Sequence, residues 1–297
     1  MHFLKRFFSP TVTEPETPPP EIVSTPVEPR TGCITRLPPG IHVGKLTEAG
    51  RVRERNEDSL YTLESVIQYE HGREPFGLFI VADGMGGHQK GELASLTATR
   101  VTANYILKNV YLPYLSNHDQ HTSPQPINEV LIEAIESANL QVQKVAPEGG
   151  TTLTVALVMG NNAYIAHVGD TRAYFFNQNR LQQITQDHSL AQRLKDTGQV
   201  TAEEAAQVEH ILYRAVGQGA SIQADIHLQH LPPGSSLLLC SDGLWKGINN
   251  DDLLKEIIAS SNTPQEACQH LVAEANNNGD DNITVIIISM GLEEASD

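Results

Sequence analysis

The chain has 297 residues, 39% of them hydrophobic, enough for one large domain or two small ones with a sizeable core. Its 36 acidic residues outweigh 20 basic ones, for a formal net charge of -16. That balance excludes a nucleic-acid partner, because nothing in the chain can neutralise phosphates in bulk. Cys33, Cys240 and Cys268 stand far apart without the paired spacing of a zinc site, and their odd number points to reduced thiols.

The first eight residues are basic and aromatic, but Ser9-Pro10 follows at once and the apolar run of a signal peptide is missing. Residues 9–40 are rich in Pro, Thr and Glu, a composition that buries too little apolar area to offset ordering entropy. Residues 1–40 are therefore expected to be a disordered tail, 41–290 the folded domain and 291–297 a short C-terminal tail. No apolar stretch is long enough to span a bilayer. A cytoplasmic location is expected. Within the domain, 78–82, 163–168 and 237–240 are short apolar runs that read as buried strands. They end on Asp83-Gly84, Gly169-Asp170 and Ser241-Asp242-Gly243. A fourth run, 283–288, begins after Asp281-Asn282. Helical spacing runs from Glu92 to about Lys108, with Leu93, Leu96, Val101, Tyr105 and Ile106 as its apolar face, and again from Ile127 to Val145. Hairpins are expected around 159–162 and 177–180. Asp251 to Ala259 reads as a short helix, and Thr263-Pro264 as the cap and first residue of another that ends near Gly279. Hairpins imply antiparallel sheet, so the order fits two packed sheets with helices outside. It does not fit a doubly wound nucleotide fold, and there is no Gly-x-x-x-x-Gly-Lys-Ser/Thr phosphate loop.

Carboxylates at several strand ends can converge on one rim, where they repel unless a hard divalent cation neutralises them. In Arg53-Glu54-Arg55-Asn56-Glu57-Asp58, neighbouring acids on a strand point to opposite faces, so one binds an ion directly and the other through water. Mg²⁺ and Mn²⁺ suit that arrangement because they keep water ligands. Asp83-Gly84-Met85-Gly86-Gly87-His88 puts a glycine-rich turn after a buried strand, where Asp83 and the Gly84 carbonyl can hold a cation. Taken singly, these segments also read as a solvated charge run and a strand-to-helix turn, and Asp170, Asp242 and Asp281 as turn caps. Taken together, they point to a metal centre.

As a set the motifs resemble the metal-dependent type 2C serine/threonine protein phosphatases (the PPM family), above all the bacterial members. The resemblance rests on Arg53 to Asp58, Asp83 to Gly87, Gly149-Gly150-Thr151-Thr152, Val168 to Arg172, Thr185 to Ser189, Ser241 to Trp245 and Asp280 to Thr284, and covers roughly 42–290. It implies an α+β fold, a four-layer α/β/β/α sandwich of two antiparallel-rich sheets flanked by helices. It implies two Mn²⁺ or Mg²⁺ ions bridged by Asp83. Asp242 and Asp281 complete one ion, Glu57 and the Gly84 carbonyl the other, and Asp58 holds a metal-bound water. Arg53 grips the substrate phosphate. A water shared by the ions attacks phosphorus directly, without a covalent enzyme intermediate. The implied substrates are phosphoserine and phosphothreonine proteins, and the implied counterpart is a cognate Ser/Thr kinase. No oligomer signal is present, so a monomer is expected. Alternatives are a catalytically inactive phosphoprotein-binding relative and a small-molecule phosphoesterase.

The chain departs from the family pattern twice. Met85 stands where many eukaryotic relatives carry a histidine acid, which leaves His88 or a metal-bound water for that role. Lys246 stands where many relatives carry an acidic residue that helps the equivalent of Asp170 hold a third ion. The third site is therefore expected to be weak, or to rest on Asp170, Asp242 and water. His188 is expected to be structural, and about 190–212 to form the mobile flap that selects substrate.

Overall fold

The computed structural model describes residues 37–70, 72–87, 89–116, 125–198, 204, 207, 208 and 210–292. The expected N-terminal tail up to residue 36, residues 293–297, His88 and part of the flap lie outside them. In chain order the strands are β1 (Ile41–Glu48), β2 (Ser59–Tyr69), β3 (Gly72–Ala82), β4 (Gly84–Met85), β5 (Gly150–Thr151), β6 (Leu153–Met159), β7 (Asn162–Val168), β8 (Arg172–Asn177), β9 (Arg180–Gln183), β10 (Asp225–His230), β11 (Ser236–Cys240) and β12 (Ile283–Met290). The helices are α1 (Gln89–Ile106), α2 (Leu112–Ser116), α3 (Ile127–Val145), α4 (Leu190–Asp196), α5 (Asp242–Ile248), α6 (Asp251–Ser260) and α7 (Pro264–Asn278). A π-helical turn, Leu107–Tyr111, joins α1 to α2.

Two five-stranded antiparallel sheets form, ordered β1-β12-β11-β8-β9 and β10-β7-β6-β3-β2. Period-two alternation in the apolar runs gives each central strand two buried faces. Phe79 and Val81 of β3 meet Leu237 and Leu239 of β11 and Ile286 and Ile288 of β12 between the sheets. Leu78, Ile80 and Ala82 face the opposite way, onto α1 and α3. Leu238, Cys240, Val285 and Ile287 turn outward onto α5, α6 and α7. Three apolar seams thus separate four layers, the α/β/β/α sandwich expected from the resemblance.

Local chemistry explains the element ends. The β8–β9 hairpin turns on Gln178 and Asn179, whose φ values of 48° and 59° suit a two-residue turn matching strand twist. Thr263 caps α7 by accepting from the Glu266 amide at 3.1 Å, with Pro264 in the first turn. Helix α3 has the expected bounds and buries Val130, Leu131, Ala134, Ile135, Ala138 and Val142. Helix α1 differs from expectation. It starts at Gln89 and buries Ala94, Ser95, Ala98, Thr99, Thr102 and Ala103, while Leu93 is exposed. Small residues face inward over its first turns because α1 packs closely against α3 and the sheet, whereas the expected Ile106 is buried and Val101 and Tyr105 pack against the same core.

Candidate metal centre

Antiparallel register brings the acidic segments to one end of the sandwich. Ser59, opening β2, pairs with Ala82, closing β3. Cys240, closing β11, pairs with Val285 near the start of β12 and with Arg172, opening β8. The loops before β2 and β12 and after β3, β7 and β11 therefore share one rim. A cleft of about 310 Å³ opens there, lined among others by Arg53, Glu57, Asp83, Gly84, Asp170, Asp242 and Asp281. Asp58 does not line it and is buried instead.

The flanking motifs act as clamps. The Asp83 amide donates to the Thr152 hydroxyl at 2.9 Å, and its carbonyl accepts from the Thr152 amide at 2.9 Å and the Thr151 hydroxyl at 2.8 Å. Gly84 must be glycine, since a Cβ there would collide with the main chain of Gly91 and Glu57. Asn282, beside Asp281, accepts from the Glu57 amide at 2.8 Å and donates to the carbonyls of Arg55 at 2.7 Å and Ala49 at 3.0 Å. The Glu57–Asp58 pair thus sits in a loop before β2, with the Asp58 amide donating to Asn56 Oδ1 at 3.1 Å. Strand alternation therefore does not set their directions, which corrects the expectation; the asparagine bonds do.

Asp170 is held from outside the cleft. Its carbonyl accepts from Trp245 Nε1 at 3.1 Å. Arg172 stacks on that indole, 3.5 Å from the ring centroid, and donates to Asp187 at 2.8 Å and 3.0 Å and to the Tyr174 hydroxyl at 3.0 Å. His188 Nδ1 accepts from the Gly169 amide at 3.1 Å, so its Nε2 carries the hydrogen that meets Asp225 at 3.2 Å. Burial first, with the nearby Arg214 charge, lowers the pKa of His188. The Val-Gly-Asp-Thr-Arg, Thr-Gln-Asp-His-Ser and Ser-Asp-Gly-Leu-Trp motifs thus bind one another.

The electrostatics of the rim are those of crowded anions. Burial raises Asp58 to about 7, against the hydroxyls of Thr284 and Ser241, and the charges of Asp242 and Asp281 add to the rise. Asp83 is pushed well above the carboxylate range by burial and then by Asp242, Asp58 and Asp170. Asp170 rises to about 8 through burial and Asp242, with Lys246 opposing. Asp281 rises for the same first reasons and is held back by the Asn282 amide and Arg53. Two cations stand among them. Lys246 Nζ lies 2.5 Å from Asp242 Oδ2 and 3.9 Å from Asp170 Oδ2, and Arg53 lies 2.8 Å from Asp281 Oδ2. Among the described residues no three His, Cys, Asp or Glu side chains form a closed cage about one point. The donor set is nonetheless one for hard cations. Both Asp58 oxygens are buried and accept no standard hydrogen bond, a costly arrangement that a bound cation or its water relieves.

His88 lies outside the described residues. His210 and Leu212, at the end of the flap, line the cleft. The flap neck explains their placement: the Leu190 amide donates to the Ile211 carbonyl at 2.7 Å and the Tyr213 amide to the His188 carbonyl at 2.9 Å. Sequence spacing alone carried no sign of His210, because only the folded flap returns it to the rim.

Residues 54–275 match the family model for protein phosphatase 2C. The chain is 31% identical over 261 residues to the serine/threonine phosphatase stp of Listeria welshimeri, covering 85% of this chain and 97% of that one. It is 31% identical over 264 residues to the protein phosphatase PhpP of Streptococcus pneumoniae, covering 86% of this chain and all of that one. The solved S. agalactiae serine/threonine phosphatase superposes with a TM-score of 0.69 at 28% identity, over 84% of this chain and 99% of that one. The catalytic domain of the phosphatase PstP, solved with two manganese ions, does so at 0.66 and 29%, over 84% and 98%. With a family model matched over most of the chain and relatives alike over nearly their whole length, the chain belongs to the protein phosphatase 2C family.

Proposed function

We propose that this chain hydrolyses phosphoserine and phosphothreonine in proteins, with Asp83, Glu57, the Gly84 carbonyl, Asp242 and Asp281 holding two Mn²⁺ or Mg²⁺ ions and Asp58 positioning water beneath them. The observation that carries this reading is the buried Asp58 carboxylate, whose oxygens accept no standard hydrogen bond, set among acids whose protons are held by burial and then by one another's charge. When bound, such ions polarise the phosphoryl group and acidify water. The chain's own part is positioning and charge. Arg53, exposed at the lip, offers a forked guanidinium to the phosphate. Cys240 is buried and its thiol is pushed up to about 12, first by burial, which leaves no thiolate nucleophile at that position. Phosphate release from a phosphothreonine peptide should require Mn²⁺ or Mg²⁺ and stop with EDTA; chelator-insensitive turnover would end this reading.

Met85 cannot donate a proton to the leaving oxygen, and His88 is our candidate for that step. His88→Ala should slow a phosphothreonine peptide far more than p-nitrophenyl phosphate, whose leaving group needs no acid. If His210→Ala shows that split instead, the flap imidazole carries the proton. Lys246 bears on the third ion: its ammonium sits where Asp170 and Asp242 would share one, which supports a weak third site. The same reading makes the chain a monomeric cytoplasmic enzyme opposing a Ser/Thr kinase. The free, buried Cys240 and Cys268 agree with a reducing compartment. No helix among the described residues is long and apolar enough to cross a membrane.

A further inference from the structure

Two more hollows, about 380 Å³ and 410 Å³, adjoin the cleft, and Arg55 lines all three. The first passes Gly86 and Gly87 to Gln89 and Lys90, and the second follows the first turns of α1 past Gln89 and the exposed Glu92 to Leu93 and Leu96. Gly86 and Gly87 adopt φ of 121° and 74°, and a Cβ on Gly87 would meet nothing within 4 Å. Among the described residues the passage from cleft to groove therefore has a main-chain floor at Gly86 and Gly87.

The cations around this track differ in one respect. Arg53 is paired with Asp281 at 2.8 Å, Lys246 with Asp242 at 2.5 Å and Lys90 with Glu148 at 2.5 Å. The Arg55 guanidinium is exposed and has no ion pair or side-chain hydrogen bond with any described residue. Its root is fixed, because its carbonyl accepts from Asn282 beside Asp281. A rigidly anchored, unpaired guanidinium at the mouth of an open track is a recognition element for a carboxylate or phosphate, which its fork engages through two bonds. In a chain of net charge -16, long-range forces repel acidic partners, so attraction must come from such a short-range contact.

We infer that Arg55 reads an acidic side chain flanking the phosphorylated residue, so that the preferred substrates are acidic phosphopeptides laid across Gly86 and Gly87, with Leu93 and Leu96 available to an apolar neighbour. This rests on the phosphatase reading of the cleft and names its substrate class.

The test uses the full chain with Mn²⁺ and phosphothreonine peptides that differ only in where one glutamate is placed. One flanking position should raise kcat/KM about tenfold, through KM, the size of one charge-assisted contact. Arg55→Gln should erase that preference and Arg55→Glu should reverse it toward lysine peptides, with p-nitrophenyl phosphate turnover unchanged in both. A preference that survives Arg55→Gln, no preference at any position, or loss of p-nitrophenyl phosphate turnover in Arg55→Gln would each overturn the inference. Absence of any Mn²⁺-dependent turnover by the unsubstituted chain would instead overturn the phosphatase reading beneath it.

Discussion

Asp83 sits at the rim, where burial first and then three other aspartates push against its charge. Asparagine at that position keeps the shape and removes the charge. Asp83→Asn should therefore weaken Mn²⁺ binding and lower turnover by roughly a hundredfold or more, measured by calorimetric titration and phosphate release. Full Mn²⁺ affinity in that variant would remove Asp83 from the metal set. Lys246 gives the converse case. A protonated amine between Asp170 and Asp242 competes with any cation for the same oxygens. Lys246→Asp should bind one more Mn²⁺ per chain than the parent in equilibrium dialysis, and an unchanged stoichiometry would show that lysine does not set the ion count.

At the scale of elements, α5 does two jobs. Its first residue, Asp242, reaches the cleft, while Trp245 on the same helix bonds the Asp170 carbonyl and carries the stacked Arg172. Removing Arg172 leaves Asp187, only 5% exposed, as an unpaired buried charge. Arg172→Ala should cost about 3 kcal/mol in chemical denaturation, and a loss under about 0.5 kcal/mol would show the clamp to be incidental. The same helix marks where sequence reading succeeds and fails. Aspartates after buried apolar runs were legible because strand alternation and turn glycines leave clear marks. That Thr151, Thr152, Asn282 and Trp245 serve those aspartates was not, since each bond joins segments far apart in the chain. Strand β10, with Ile226 and Leu228 among Asp225, His227, Gln229 and His230, escaped notice because an edge strand needs little apolar content. The inward face of the first turns of α1 escaped because alanine and threonine carry little weight in an apolar pattern.

Across the whole molecule, two sets of buried titratable groups pull stability in opposite directions with pH. His167, buried and held down to about 3 chiefly by burial, resists protonation, so stability is lost as pH falls below about 6.5. Asp58 and Asp170, raised to about 7 and 8, hold protons that the unfolded chain has already released. Between pH 6.5 and 8 the metal-free fold binds more protons than the unfolded chain, so its Tm should fall as pH rises. Saturating Mn²⁺ displaces those protons and should abolish the fall, with Mn²⁺ affinity at least about tenfold higher at pH 8 than at pH 6. A Tm rising through that interval without metal would contradict the shared burial of these acids. The four-layer architecture was legible from hairpins, run lengths and the motif set, whereas the groove beyond Gly87 was not, because it exists only once α1 is docked.

The most direct test is diffraction from crystals grown in Mn²⁺, with anomalous data collected at the manganese edge. Two strong peaks are expected within the rim, one shared by Asp83 with Asp242 and Asp281 and one by Asp83 with Glu57 and the Gly84 carbonyl. A rim free of anomalous signal, with Asp242 and Asp281 still bonded only to Lys246 and Arg53, would contradict the two-ion reading.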